Sequence, residues 1–325
     1  MLRLIYGHAG SGKTHRILSL LRRDAKAGTR FYLIVPEQQT VQCERMLLEL
    51  LPPGAQLRGE VLNFSRLANL VFRHYGGLSY NYADTGCRAL ILWKNLRELA
   101  PMLHEYARSA EGNNLPSFTK EMMAAMGELK AYCISPQALE KAAEALPGGE
   151  SEEKEQSLLK NKLSDLSLIL SAYTYSLAES YSDVSDDLSR LAEILSQKGH
   201  SFFADAHVYI DSFTSFTRQE YRVIEQILSS AAEVSVALTL DSIASTAIHY
   251  ESTVDTALRL RRMAHRLSLP VSEEPVTYTE HSPIDILRED LWRPERMGYS
   301  LSGDDQEAIR LLCCRDPYEE CEAAA

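Results

Sequence analysis

Apolar residues fall into short blocks near the start of this chain, into helical spacing through its middle, and into short blocks again after residue 200. Leu2-Arg3-Leu4-Ile5-Tyr6 is an apolar run of strand length. Ile17, Leu18, Leu20 and Leu21 then recur at helical spacing within 14–27, and Gly28 is placed to cap that helix. Phe31-Tyr32-Leu33-Ile34-Val35 predicts a second strand, which Pro36 stops before a helix over 37–44. A third strand over 59–64 leads into a helix over 65–72. Strand and helix alternate, which predicts a mainly parallel sheet covered by helices.

From about residue 85 to 198 the strand signals vanish. Helices are predicted over 87–100, 118–132, 136–145, 156–180 and 185–198, with polar breaks at 109–116 and 147–155. Strands return at 207–211 and 234–240, with a helix over 217–230 between them and another over 252–268 after them. A polar segment then runs to about Pro283, a last apolar run at 309–314 predicts one more strand, and a short helix opens at Asp316. The expected layout is a core made of 1–84 and 199–300, a helical subdomain inserted as 85–198, and the truncated start of a following domain in 301–325.

The first strand and helix flank Gly7-His8-Ala9-Gly10-Ser11-Gly12-Lys13-Thr14, which has the form G-x-x-x-x-G-K-[ST]. Strand, glycine loop and helix together make a phosphate cradle. Gly7, Gly10 and Gly12 let backbone N–H groups, with Ser11 among them, turn toward an anion, and the helix N-terminus adds partial positive charge. In such a loop Lys13 reaches the β- and γ-phosphates and Thr14 holds Mg²⁺, so ATP with Mg²⁺ is the expected ligand pair.

Such sites need a second half, an apolar strand ending in an acid. His207-Val208-Tyr209-Ile210-Asp211 has that form, which makes Asp211 the candidate Mg²⁺-associated carboxylate. An N-cap or turn acid is the bland alternative. Motor ATPases of the helicase type usually place Glu after this acid to orient the attacking water, and here Ser212 stands there. Serine is no base at neutral pH without an activator. Six residues precede the loop and none is the Gln that such motors use to read adenine. The site is therefore expected to bind nucleotide with weak or no hydrolysis, and no catalytic residue is assigned.

Charge adds an asymmetry to this picture. Of 34 Lys and Arg and 45 Asp and Glu, residues 1–100 hold fourteen basic and seven acidic side chains, so the acidic excess lies in the rest of the chain. A basic first third beside a phosphate loop is compatible with a nucleic-acid backbone, and equally with solvated helix faces. No apolar run approaches the ~20 residues that span a bilayer, so no membrane partner is expected. The six cysteines (Cys43, Cys87, Cys133, Cys313, Cys314, Cys321) form no C-x-x-C pair, as suits reduced thiols in a cytoplasmic protein.

The motifs together resemble a known family. Leu4-Ile5-Tyr6-Gly7 with the phosphate loop, Leu33-Ile34-Val35-Pro36-Glu37-Gln38-Gln39-Thr40, and Val61-Leu62-Asn63-Phe64-Ser65-Arg66-Leu67 look like the N-terminal region of the AddB (RexB-like) component of bacterial AddAB helicase–nucleases. Tyr181-Ser182-Asp183-Val184-Ser185-Asp186-Asp187-Leu188 and Tyr209-Ile210-Asp211-Ser212-Phe213 continue the match in order. The resemblance implies an α/β fold: a P-loop NTPase core like that of superfamily 1 helicases, with an inserted α-helical subdomain. It implies a part in DNA end processing during recombinational repair of double-strand breaks, a heterodimer with an AddA-type helicase–nuclease subunit, and contact with single-stranded DNA or a duplex end. It places the nuclease domain and an iron–sulfur cluster in a C-terminal part of the full-length protein, outside this chain. It also makes Gln38, Gln39, Thr40, Ser65 and Arg66 candidate DNA contacts; capping is the ordinary alternative for the first three.

A free-standing P-loop kinase or NTPase acting on a small molecule is the competing reading. A kinase lid needs arginines to close over nucleotide, whereas the 85–198 segment is Glu-rich with Arg only at 88, 97, 108 and 190.

Overall fold

The computed structural model describes residues 1–51, 58–78, 81–111, 114–146, 153–277 and 312–324. Six strands form one all-parallel sheet: β1 (Leu2–Gly7), β2 (Phe31–Ile34), β3 (Gly59–Leu62), β4 (His207–Ile210), β5 (Glu233–Thr239) and β6 (Val271–Pro275), in the order β3-β2-β4-β5-β1-β6. The connecting helices are α1 (Lys13–Ala27), α2 (Thr40–Leu50), α3 (Phe64–Tyr75), α4 (Thr85–Leu99), α5 (Ala107–Glu111), α6 (Leu115–Ala131), α7 (Pro136–Glu144), α8 (Glu153–Ala178), α9 (Asp187–Phe202), α10 (Arg218–Ser230), α11 (Glu251–Arg266) and α12 (Pro317–Ala324).

A parallel sheet needs cover on both faces, which is why its strands read as nearly unbroken apolar runs. Residues of β2 divide the two faces. Phe31 and Leu33 join Ile17, Leu20 and Leu21 of α1 and Leu47 of α2. Tyr32 and Ile34 face the opposite way, into a larger cluster with Leu67 and Val71 of α3, Leu195 and Phe202 of α9, Ile224 of α10 and Leu260 of α11. Burying a Leu- or Phe-sized side chain stabilises by roughly 1.5–3 kcal/mol, so these two layers fix the order of the strands.

Helices α4 to α8 have a separate core built on Leu92, Leu96, Phe118, Met122, Met126, Ile169 and Tyr173. Asp165 is buried inside this body. Its carboxylate accepts the N–H groups of His104, Glu105 and Tyr106 at 2.8–3.1 Å, which satisfies the backbone donors of the bend that precedes α5. The chain enters and leaves this body side by side: Tyr82 bridges Ser182, and the N–H of Ala83 donates to the Ser182 carbonyl at 3.1 Å. Helix α9, most of which lies within the 85–198 span that the sequence assigns to the insertion, puts Leu191, Leu195 and Phe202 into the sheet-face cluster rather than the helical one.

Two sequence expectations are corrected. The polar segment after α11 contains a strand, β6, paired with β1 from Leu2↔Val271 to Tyr6↔Pro275. Val271-Ser272-Glu273-Glu274-Pro275 reads as loop because its acids hide the pattern. Arg3 and Arg16 pair with Glu274, and Arg261 lies 3.5 Å from Glu273, so the charges are offset along the edge of the sheet. The strand expected at 309–314 lies partly outside the described residues, and its described part, 312–314, has no strand conformation. Among the described residues no helix is long and apolar enough to cross a membrane.

Candidate functional site

Every strand of a parallel sheet ends on the same side, and ligands of such sheets sit beyond those C-terminal ends. The chain turns from β1 into the phosphate loop, from β2 into Pro36 and the 3₁₀ turn Glu37–Gln39, from β3 into Asn63, and from β4 into Asp211. All the candidate residues therefore lie along one rim. Strand β5 alone separates β1 from β4, so the loop and Asp211 face each other across it.

The loop has the local chemistry of an anion cradle. Gly12 caps α1 with φ +94° and no side-chain hydrogen bond, and no acid occupies the first turn of the helix. The first-turn amides thus carry no side-chain cap and point outward with the positive end of the helix. Gly7 is required for space: a Cβ there would sit 2.2 Å from the Val276 carbonyl and 2.5 Å from Ser11 Oγ. Ser11 Oγ is itself buried and has no hydrogen-bond partner. The Lys13 ammonium is buried and donates to the carbonyls of Gly7 at 2.9 Å and His8 at 2.6 Å, so it spans the loop from inside.

Asp211 is 6% exposed, and its backbone N–H donates to the Ile34 carbonyl at 3.0 Å. Burial pushes its carboxyl above the usual carboxylate range; hydrogen bonds from the Thr14 side chain and the Ser212 amide, with the nearby Lys13 charge, offset this only in part. A buried carboxylate that is short of positive charge is suited to a divalent cation. Ser212 has φ +68°, a left-handed conformation that a non-glycine residue adopts at a cost.

A buried carboxylate ties the two halves of the site together. Asp24 of α1 accepts from His207 Nδ1 at 2.7 Å and Tyr209 Oη at 2.5 Å, both on β4, and pairs with Arg23 at 3.2 Å. Burial alone would raise its carboxyl, but those hydrogen bonds and the neighbouring charges hold it below the usual range. The helix that carries Thr14 is thus fastened to the strand that carries Asp211.

The remaining candidates differ in exposure. Gln38, Ser65 and Arg66 are exposed and Gln39 is half-buried. Thr40 is buried, and its hydroxyl donates to the Glu37 carbonyl at 2.6 Å, which closes the turn into α2. Asn63 caps α3, its Oδ1 accepting the Arg66 N–H at 2.7 Å, and the Arg66 guanidinium reaches Glu44 of α2 at 2.5 Å. The helix start next to Ser65 is therefore already partly satisfied by Asn63.

Sequence reasoning missed two features. His8 Nδ1 of the loop lies 2.9 Å from Tyr250 Oη, and 242 positions separate the two residues. No local signal predicts such a pair. Phe64, Phe213 and Phe216 stack in turn, with ring centroids 5.7 Å apart for the first pair and 5.0 Å for the second, and so join the ends of β3 and β4. The spacing Phe213-x-x-Phe216 is visible in the sequence, but its partner across the sheet is not.

The chain is similar to known proteins over most of its length. The chain is 34% identical over 288 residues to the B-subunit of the ATP-dependent helicase/deoxyribonuclease of Caldanaerobacter subterraneus subsp. tengcongensis, covering 87% of this chain and 24% of that protein. It is 33% identical to the protein of the same name from Thermoanaerobacter sp. and 32% to that of Desulforamulus reducens; each match covers 100% of this chain and 28% of the relative. The chain thus spans about a quarter of the length of the curated relatives it matches. The family model described as "ADDB, N-terminal" matches residues 4–285, and the chain belongs to that family.

Proposed function

We propose that this chain is the nucleotide-holding, DNA-engaging N-terminal portion of an AddB-type component of an ATP-dependent helicase/deoxyribonuclease, a superfamily 1-like P-loop core whose own site binds ATP and turns it over weakly or not at all. The observation that carries the reading is the pairing of an uncapped glycine loop with a buried acid one strand away. Ser11 Oγ without a partner, the open side of Gly12 and the cation-poor Asp211 fit a Mg²⁺-nucleotide. Among the described residues no cluster of three or more His, Cys, Asp or Glu is placed to hold a metal by itself. The proposed ion would be held by Thr14, Asp211 and phosphate oxygens, as Mg²⁺ commonly is. When bound, that ion would neutralise phosphate charge. Lys13 would leave the loop carbonyls for the phosphates, and Gly7, Gly10, Ser11 and Gly12 would present N–H groups.

Weak hydrolysis follows from Ser212, which supplies no carboxylate where a motor needs one to orient water. DNA contact falls to the other end of the same rim, where Gln38, Gln39, Ser65 and Arg66 flank the phenylalanine stack and Thr40 shapes the turn. The acting assembly is a heterodimer with an AddA-type subunit in the cytoplasm, working at DNA ends in break repair. Nuclease chemistry and an iron–sulfur cluster belong to the remaining length of the relatives. The test is ATP binding by wild type and Lys13→Ala: the variant loses it. Equal affinity of the two proteins would place the nucleotide elsewhere.

A further inference from the structure

A groove of about 660 Å³, lined by none of the phosphate-loop residues, opens where the turn between α6 and α7 meets α10 and α11. Its chemistry is unlike that of the acidic bulk of the chain. Arg259, Arg262 and Arg266 line it from successive turns of α11, and Arg218 faces them from the start of α10. The three guanidiniums of α11 share two carboxylates: Asp255 lies 2.7 Å from Arg259 and 3.8 Å from Arg262, and Glu225 lies 3.1 Å from Arg266. The groove keeps a positive balance after its own ion pairs are counted. Arg262 and Arg266 are 70% and 68% exposed, so their charges meet solvent.

The other half of the lining is aromatic. Tyr221 forms the floor and is held by Thr256 at 3.3 Å, with Arg259 over its ring at 5.7 Å and Phe216 against its edge at 5.5 Å. Tyr132 stands at the mouth, 52% exposed. The turn that carries it is fixed: Cys133 adopts φ +54° and the N–H of Ile134 donates to the Leu129 carbonyl at 2.8 Å. Phe216 also touches Phe213 and Phe64, so one aromatic ridge runs from the Ser65–Arg66 rim into the groove.

We infer that this groove is a second binding track for single-stranded nucleic acid. Arg259, Arg262 and Arg266 span about 10 Å along α11, a length that follows several backbone phosphates. An exposed ring beside a line of arginines is the combination that holds unpaired bases without regard to sequence. The exposed Tyr132 ring offers its face to an unpaired base, which a stacked duplex does not present, so the occupant is a single strand. The track extends the DNA-engaging reading and shares Phe216 with it, but stands on Tyr132 and the four arginines, which that reading does not use.

Fluorescence anisotropy of the 325-residue chain with a fluorescein-labelled twenty-nucleotide oligothymidine tests it. Wild type binds at low salt. In Arg262→Ala/Arg266→Ala the log–log salt slope shrinks by about 1.4, the value for two lost phosphate contacts on a single strand, and affinity falls at least tenfold. Tyr132→Ala weakens binding about tenfold and Tyr132→Phe does not, because the ring rather than the hydroxyl stacks. ATP binding, unchanged in all three variants, reports that each is folded. Arg66→Ala separates this track from the rim: loss of binding in Arg66→Ala alone, with the groove variants unaffected, would overturn the groove and keep the rim. No binding of the oligonucleotide by wild type would also overturn it, and would leave the arginines to an acidic polypeptide.

Discussion

The Ser212 N–H donates to Oδ1 of Asp211 at 2.7 Å, so the acid at the end of β4 is held by the residue that stands where a motor would carry its water-orienting glutamate. That one contact ties the buried acid to the residue beside it in the proposed nucleotide site. The backbone bend that places Asp211 puts Ser212 in the left-handed region at φ +68°.

Ser212→Gly should therefore stabilise the chain by roughly 0.5–1 kcal/mol, because glycine takes a positive φ without the Cβ clash. Urea unfolding of the two proteins measures the difference. A loss of stability would mean that the serine side chain holds the bend rather than tolerating it.

Asp211→Asn separates stability from function. Its folded-state carboxyl is raised, so the folded protein binds more protons than the unfolded chain just above the ordinary aspartate range. Stability falls as pH rises through that window and the cost persists at neutral pH. Removing the charge should recover on the order of 1 kcal/mol at pH 7 while making nucleotide binding insensitive to Mg²⁺. A variant that is less stable at pH 7 would contradict the burial argument, and one that keeps its Mg²⁺ dependence would move the cation elsewhere.

Asp24 behaves in the opposite sense. Its carboxyl is lowered, so its contribution is fully present above the ordinary aspartate value of 3.8 and is lost as pH falls through the depressed one. Asp24→Asn should cost about 1–3 kcal/mol at neutral pH and flatten the acid limb of the stability curve, since His207 and Tyr209 lose a charged acceptor. Denaturant midpoints from pH 7 down to pH 3 check both. Because this residue fastens α1 to β4, the same variant should bind ATP more weakly. Unchanged affinity would show that the loop and Asp211 need no such fastening.

Asn63→Ala removes the cap that holds the first turn of α3, worth about 1 kcal/mol, and leaves the Arg66 N–H without its acceptor. Single-strand affinity should fall with stability, because Ser65 and Arg66 are presented by that turn. Gel-shift titration beside thermal unfolding reads the two effects. Full DNA affinity in the destabilised variant would remove the rim from the DNA path.

The parts of the fold that sequence reveals are those set by neighbours in the chain. Gly7 to Thr14 announce a loop because the glycines and the flanking apolar runs lie close together in sequence. Helices α4, α6, α7 and α8 follow from periodicity, whereas α5 (Ala107–Glu111) overlaps the polar break expected at 109–116 and is not predicted. Strand β6 is hidden because Glu273 and Glu274 are tolerated only through Arg3, Arg16 and Arg261, which the sequence scatters. Tyr250 beside His8, Asp24 beneath His207 and Tyr209, and the arginine groove all depend on distant segments meeting, for which no local pattern exists. Phe64 illustrates the boundary between the two cases. Its burial is legible, but its stacking on Phe213 comes only with the register of β2 between β3 and β4.

The most direct test of the central claim is one preparation read two ways: equilibrium binding of labelled ATP with Mg²⁺, and phosphate release with and without single-stranded DNA. Saturable binding with release at background, unmoved by DNA, is the predicted result. Robust DNA-stimulated release would contradict the reading of Ser212, and no binding at any Mg²⁺ concentration would contradict the nucleotide site itself.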